Sequence, residues 1–329
     1  MDIADLLAFS VRHGASDLHL SAGVAPLLRV DGEMLRCELP TLAPAQAQAL
    51  IHSVMTDAQR IAFEAHHEAD FSYVAPGLGR FRVNVFKQQR GDGAVFRSIA
   101  GTVPSLESLG LGEVFRQLCN TPQGLVLVTG ATGSGKTTTL AAMIDHLNST
   151  RQQHILTIED PIEFIHASRQ CLINQREVHR DTHSFAAALR SALREDPDVI
   201  MLGEMRDLET IRLALTAAET GHLVLATLHT PSAAKTIDRV VDVFAGEEKA
   251  MVRAMLSESL QAVISQTLVR KPGGGRVAAH EIMLGTPAIR NLIRENKVSQ
   301  MVTAIQTGGA LGMQTLEMSL KRLRDKGEL

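Results

Sequence analysis

Eight residues, Gly130-Ala131-Thr132-Gly133-Ser134-Gly135-Lys136-Thr137, combine three glycines, a lysine and a hydroxyl at the spacing G-x-x-x-x-G-K-[ST]. That set closes backbone N–H groups around phosphate oxygens at the N-terminus of a helix, whose partial positive charge favours an anion. The glycines supply the backbone freedom such a loop needs. Lys136 is placed to reach the β- and γ-phosphates of ATP, Thr137 to offer its hydroxyl to Mg²⁺, and Thr138 closes the binding segment. The chemistry implied is nucleotide binding with phosphoryl transfer.

Loop chemistry of this kind needs acids at the ends of neighbouring strands. Val199 to Leu202 is an apolar strand followed by Glu204, where a Mg²⁺-facing carboxylate belongs. Asp198 precedes the apolar run and fits that role less well. Ile155 to Ile158 is a second apolar strand, followed by Glu159, Asp160 and Glu163. One of these carboxylates could orient an attacking water, and the pattern does not rank Glu159 against Glu163. His222 and His229 bracket a third apolar strand, which suggests phosphate sensing or coupling. Seven residues along a strand spans over ~20 Å, which excludes a shared metal. Arg82 shares a strand face with Asn84, and Arg97 lies on the partner strand, making a candidate phosphate clamp. On pattern alone, ordinary surface arginines fit that pair better.

Stepping outward, a strand must enter the loop and a helix must leave it. Leu125 to Val128 is apolar and rich in β-branched residues, the mark of a buried parallel strand, and Leu140 to Leu147 reads as the helix. Strands are also expected at 154–158, 171–174, 199–202 and 222–228, with helices over 185–194, 208–219 and 250–269. Alternation of this kind builds an α/β sheet covered by helices. The tail from Thr286 is helical, over 288–295 and 315–325. Residues 1–100 read instead as an α+β domain. It has a helix over 3–12, strands at 15–21 and 27–34 with a tight Asp31-Gly32 turn, helices over 44–55 and 57–66 with Asp57 as N-cap, and strands over 69–74, 80–86 and 94–99. Residues 101–117 form the linker, and 118–329 the second domain.

Composition narrows the classes of function. A net charge of −3 and 3% aromatics over 329 residues give neither a basic surface nor stacking platforms for nucleic acid. Cys37, Cys119 and Cys171 are far apart and form no C-x-x-C pair, which suits a reducing compartment and argues against zinc. The acidic start, Met-Asp-Ile-Ala-Asp, is no signal peptide, and no apolar run approaches the ~20 residues a bilayer requires. Work at a membrane would proceed through a partner.

Taken in order, the loop at 130–139, Ile158-Glu-Asp-Pro-Ile-Glu163, Leu189 to Asp198, Gly203-Glu-Met-Arg-Asp207 and Thr220-Gly-His222…Thr227-Leu-His229-Thr resemble the secretion ATPase superfamily of type II/IV secretion and type IV pilus motors. Ala15 to Ser21 and Ala288-Ile-Arg-Asn-Leu-Ile-Arg-Glu295 extend the resemblance to nearly the whole chain, the latter pointing to the pilus retraction branch. The resemblance implies a PAS-like N-terminal domain, a RecA-like P-loop ATPase domain and a homohexamer that hydrolyses ATP to power pilus retraction and twitching motility. It assigns Glu163 as the catalytic carboxylate and Glu204 as the Walker B acid. It also brings Arg82 and Arg97 to the nucleotide, and implies ATP with Mg²⁺ as cofactor. A cytoplasmic location at the inner face of the inner membrane, on a pilus platform protein, is expected, and a paralogous retraction ATPase is left open as a second partner. Extension and type II secretion relatives carry a four-cysteine zinc module; here the region has only Lys271-Pro-Gly-Gly-Gly-Arg276, so neither zinc nor nucleic acid is expected. A nucleotide-binding regulator without turnover is the rival reading, opposed by intact Lys136, Glu163 and Glu204.

Overall fold

Alternating apolar residues build the first third of the chain. In the computed structural model, which describes every residue except Met1, Asp31 and Ala100, helix α1 (Ile3–Arg12) is followed by strands β1 (Asp17–Ser21), β2 (Leu27–Val30) and β3 (Glu33–Arg36). Helices α2 (Pro44–His52) and α3 (Asp57–His66) precede strands β4 (Glu68–Ala75), β5 (Gly79–Gln88) and β6 (Gly91–Ile99). The strands form one antiparallel sheet in the order β3-β2-β1-β6-β5-β4. Phe81, Val83 and Val85 of β5 alternate onto the face that buries Leu6, Leu7, Ile51 and Phe63 from the helices. Val30 pairs with Glu33, as the expected tight turn requires, although Asp31 itself lies outside the described residues. The N-cap of α3 is Thr56 rather than Asp57: the Thr56 side chain accepts from Gln59 N while the Gln59 side chain accepts from Thr56 N, a capping box that leaves Asp57 in the first turn.

The remainder opens with α4 (Glu113–Cys119), β7 (Gly124–Thr129), α5 (Lys136–Thr150), β8 (His154–Glu159), β9 (Leu172–Glu177), α6 (Phe185–Ala192) and β10 (Val199–Leu202). It continues through α7 (Leu208–Glu219), β11 (Leu223–Leu228), α8 (Ala233–Asp242), α9 (Lys249–Ser259), β12 (Leu260–Arg270) and β13 (Arg276–Leu284). The tail carries α10 (Pro287–Arg294), α11 (Met301–Thr307) and α12 (Leu316–Asp325). The sheet order is β13-β12-β7-β11-β10-β8-β9, parallel except for β13. Strands β7, β10 and β11 are buried throughout, because helices cover both faces. One core joins the sheet to α7, α8, α9 and α10; the other joins it to α4 and α5.

The helix expected over 250–269 is only half right. The helix ends at Ser259, and Leu260 starts a strand that pairs with β7. Val263, Ile264, Thr267 and Val269 are β-branched and suit a buried pleat, and the glycine-rich turn after Lys271 returns the chain as β13. The chain divides into two compact units, residues 1–102 with 163–165, and residues 103–162 with 166–329.

Two histidines of the second unit are buried and neutral. His280 on β13 meets the Phe115 ring of α4 edge-on at 5.4 Å, and burial lowers its pKa to about 4. Burial likewise takes His166 down to about 4. Below pH 6.5 the unfolded chain binds protons that the folded chain refuses, so stability is lost as pH falls from 6.5 towards 4. Each site contributes up to about 3 kcal/mol of that loss. Melting temperatures recorded from pH 7 to 4.5 should fall less steeply for His280→Leu than for the wild type; parallel slopes would contradict the account.

Candidate functional site

Strand β7 delivers the chain at Thr129, and α5 receives it at Lys136. Between them Gly130, Gly133 and Gly135 adopt φ of 142°, 77° and 87°. Gly135 is the N-cap of α5 and supplies no side-chain hydrogen bond, so the first turn keeps backbone N–H groups for a ligand. Gly130 is also fixed by space. A Cβ there would lie 2.3 Å from the Gln266 carbonyl oxygen and 2.7 Å from Ser134 Oγ. The Lys136 ammonium sits inside the loop and donates to the carbonyls of Gly130 and Ala131, each at 3.0 Å. The hydroxyls of Thr129 and Ser134 are buried with no hydrogen-bond partner among the described residues. Orphan hydroxyls, an ammonium and an uncapped helix start together fit a phosphate chain. Thr137, half-buried in the first turn of α5, offers an oxygen donor of the kind Mg²⁺ takes.

The acids sort by what holds them. Asp198 accepts from His154 N at 2.8 Å, a structural tie at the start of β10. Glu204, just past the other end of that strand, keeps one oxygen 2.8 Å from Arg206 Nε and the other 3.3 Å from His229 Nε2. His229 Nδ1 in turn lies 3.4 Å from Thr132 Oγ1 of the loop. Strands β10 and β11 are parallel neighbours, and this pairing brings Glu204, His229 and Thr132 into one chain of contacts. His222 is not brought there. Its Nδ1 lies 2.9 Å from Ala217 O, and its carbonyl accepts from Gly124 N, at the end of the sheet remote from the loop.

Glu159 is buried and accepts from Thr157 Oγ1 at 2.6 Å and Gln175 Nε2 at 3.1 Å. Glu163 is half-buried and groups with the first unit. Within that unit Arg82 and Arg97 stand directly opposite each other on β5 and β6. Asp70 lies 2.6 Å from Arg82 Nη2, and Asp17 lies 2.8 Å from Arg97 Nε.

Gln266 on β12 is a site residue that sequence reasoning missed. Its Nε2 donates to Ser134 O at 2.6 Å and its Oε1 accepts from Thr139 Oγ1 at 2.8 Å, so one buried carboxamide fastens both loop and helix to the sheet. The signal available was the β-branched density of Val263 to Val269, which marks a strand running beside the loop.

The type II/IV secretion system protein family matches residues 2–274. The chain belongs to this family. It is 70% identical over 327 residues to the type IV pilus retraction ATPase PilT of Pseudomonas aeruginosa, covering 99% of this chain and 95% of that protein. To the type IV pilus ATPase PilU of the same organism it is 42% identical over 330 residues, covering 100% of this chain and 86% of that one. A crystal structure of the pilus retraction motor PilT with bound ADP superposes with a TM-score of 0.93 at 48% identity, covering 100% of this chain and 94% of that one.

Proposed function

We propose that this chain is the ATP-hydrolysing motor of type IV pilus retraction, working as a homohexamer at the inner face of the inner membrane. The observation that carries the reading is the phosphate loop wired through Thr132 and His229 to Glu204. Higher identity to the retraction ATPase than to PilU supports the principal motor over the accessory paralogue. No helix among the described residues is long and apolar enough to cross a membrane; in this reading a pilus platform protein provides the contact with the membrane.

In this reading Lys136 trades the carbonyls of Gly130 and Ala131 for β- and γ-phosphate oxygens, while loop N–H groups hold the rest of the chain of phosphates. Thr137 and, directly or through water, Glu204 offer oxygen donors to Mg²⁺, which neutralises phosphate charge when bound. Glu163 takes a proton from the attacking water as the bond between the γ-phosphorus and the ADP oxygen breaks. Arg82 and Arg97 neutralise the charge that develops, and His229 registers the loss of the γ-phosphate through Thr132 and Glu204. Arginines closing on and releasing the phosphate turn hydrolysis into movement of the N-terminal domain.

Replacing the chromosomal copy with Lys136→Ala tests the assignment in the cell. Cells should assemble pili, fail to retract them and lose twitching. Retraction at the wild-type frequency would overturn the reading.

A further inference from the structure

Strand β9 lies at the edge of the second sheet, and alternation puts Gln175 and Glu177 on one face of it. Glu177 Oε2 accepts a hydrogen bond from Ile162 N at 3.0 Å, and Gln175 Oε1 accepts from His166 N at 2.8 Å. These two backbone donors flank residues 163–165. Anchors two positions apart on a strand are about 7 Å from each other. Four residues of extended chain reach roughly 13–14 Å. The segment between the anchors must therefore bow away from β9, and Glu163 sits on that bow. Gln175 makes a second tie, donating from Nε2 to Glu159 Oε1 at 3.1 Å, so the bow is also fixed to the end of β8.

The choice of groups is costly for a plain loop. Glu177 and Glu159 are both buried, 4% and 3% exposed, and a buried carboxylate carries a desolvation penalty. Arg180, 3.6 Å from Glu177, offsets part of it. What the carboxylate gives in return is a charge-assisted hydrogen bond to Ile162 N, firmer than a neutral one.

We infer that Gln175 and Glu177 are positioning residues that hold the Glu163 segment as a two-point strap, so that its carboxylate meets the attacking water in one orientation. The inference rests on the reading of Glu163 as the catalytic carboxylate. Glu177→Ala and Gln175→Leu each remove an acceptor; Glu177→Gln keeps an oxygen that can accept from Ile162 N.

The test measures kcat, KM and binding of a fluorescent ADP analogue on the assembled oligomer, with hydrogen–deuterium exchange over the peptide spanning 160–168. For Glu177→Ala and Gln175→Leu, kcat should fall roughly ten- to hundredfold, as expected when a reacting group is displaced by about 1 Å. Analogue affinity should stay near that of the wild type, exchange over 160–168 should quicken, and Glu177→Gln should recover most of the turnover. Unchanged kcat despite faster exchange would overturn the strap. So would kcat, affinity and melting temperature falling together with no rescue by Glu177→Gln, the mark of a residue that only stabilises the fold. Glu163→Gln, run beside them, separates the two claims: wild-type turnover there removes the reading of Glu163 and the strap with it. Loss of turnover there, with both strap variants fully active, removes the strap alone.

Discussion

Gly130→Ala should cost at least a hundredfold in nucleotide affinity. The residue holds φ at 142°, a conformation that L side chains rarely adopt and that costs a residue with a Cβ about 1–3 kcal/mol. A Cβ would also press to 2.3 Å from the Gln266 carbonyl, which is backbone of a paired strand and cannot swing aside. Either β12 or the loop must shift, and with it the carbonyls that now hold Lys136. Gly133→Ala is the control. Its φ of 77° carries a similar backbone strain, but no heavy atom lies within 4 Å of the added Cβ. It should lose about tenfold or less. Titration of a fluorescent ADP analogue reads both; equal affinities for the two variants would contradict the packing argument.

Arg82→Ala should lower kcat roughly a thousandfold, within the range for an arginine that stabilises phosphoryl-transfer charge. Arg82 and Arg97 stand directly opposite each other on neighbouring strands, and the carboxylates of Asp70 and Asp17 offset the repulsion between the like charges. The partner of Arg82, Asp70, is well exposed, and breaking that ion pair should cost about 1 kcal/mol or less of stability. Arg97 differs. Its partner Asp17 is buried, with Ser16 Oγ as a further donor at 2.8 Å, so Arg97→Ala should lose stability as well as turnover. Turnover in Arg82→Ala within threefold of the wild type would remove it from the proposed mechanism.

Much of the ATPase unit was legible because its signals are local. The glycine spacing, the apolar run before it and the acid after Val199 to Leu202 each fit within ten residues, and the structure places Glu204, not Asp198, in contact with His229. The bounds of α1 and α7 match the expected helices over 3–12 and 208–219. What was hidden depends on tertiary partners. Leu260 to Val269 reads equally as helix or buried strand until β7 is there to pair with it, and Gln266 disappears with that choice. The start of α5 at Lys136 was obscured by a threonine run of modest helix propensity, which the loop geometry overrides. His222 and His229 were expected at opposite ends of one strand; the structure shows that the end of His229 is the one beside the loop. Glu159 and Glu163 could not be ranked by spacing, whereas the structure gives Glu159 two donors of its own.

The most direct test of the motor is steady-state ATP hydrolysis by the purified, size-checked oligomer, wild type beside Glu163→Gln, with binding of an ADP analogue measured on both. Wild-type turnover, a loss of about 10²–10⁴-fold in Glu163→Gln and unchanged binding are expected. An assembled wild-type oligomer that binds nucleotide without hydrolysing it would contradict the autonomous motor.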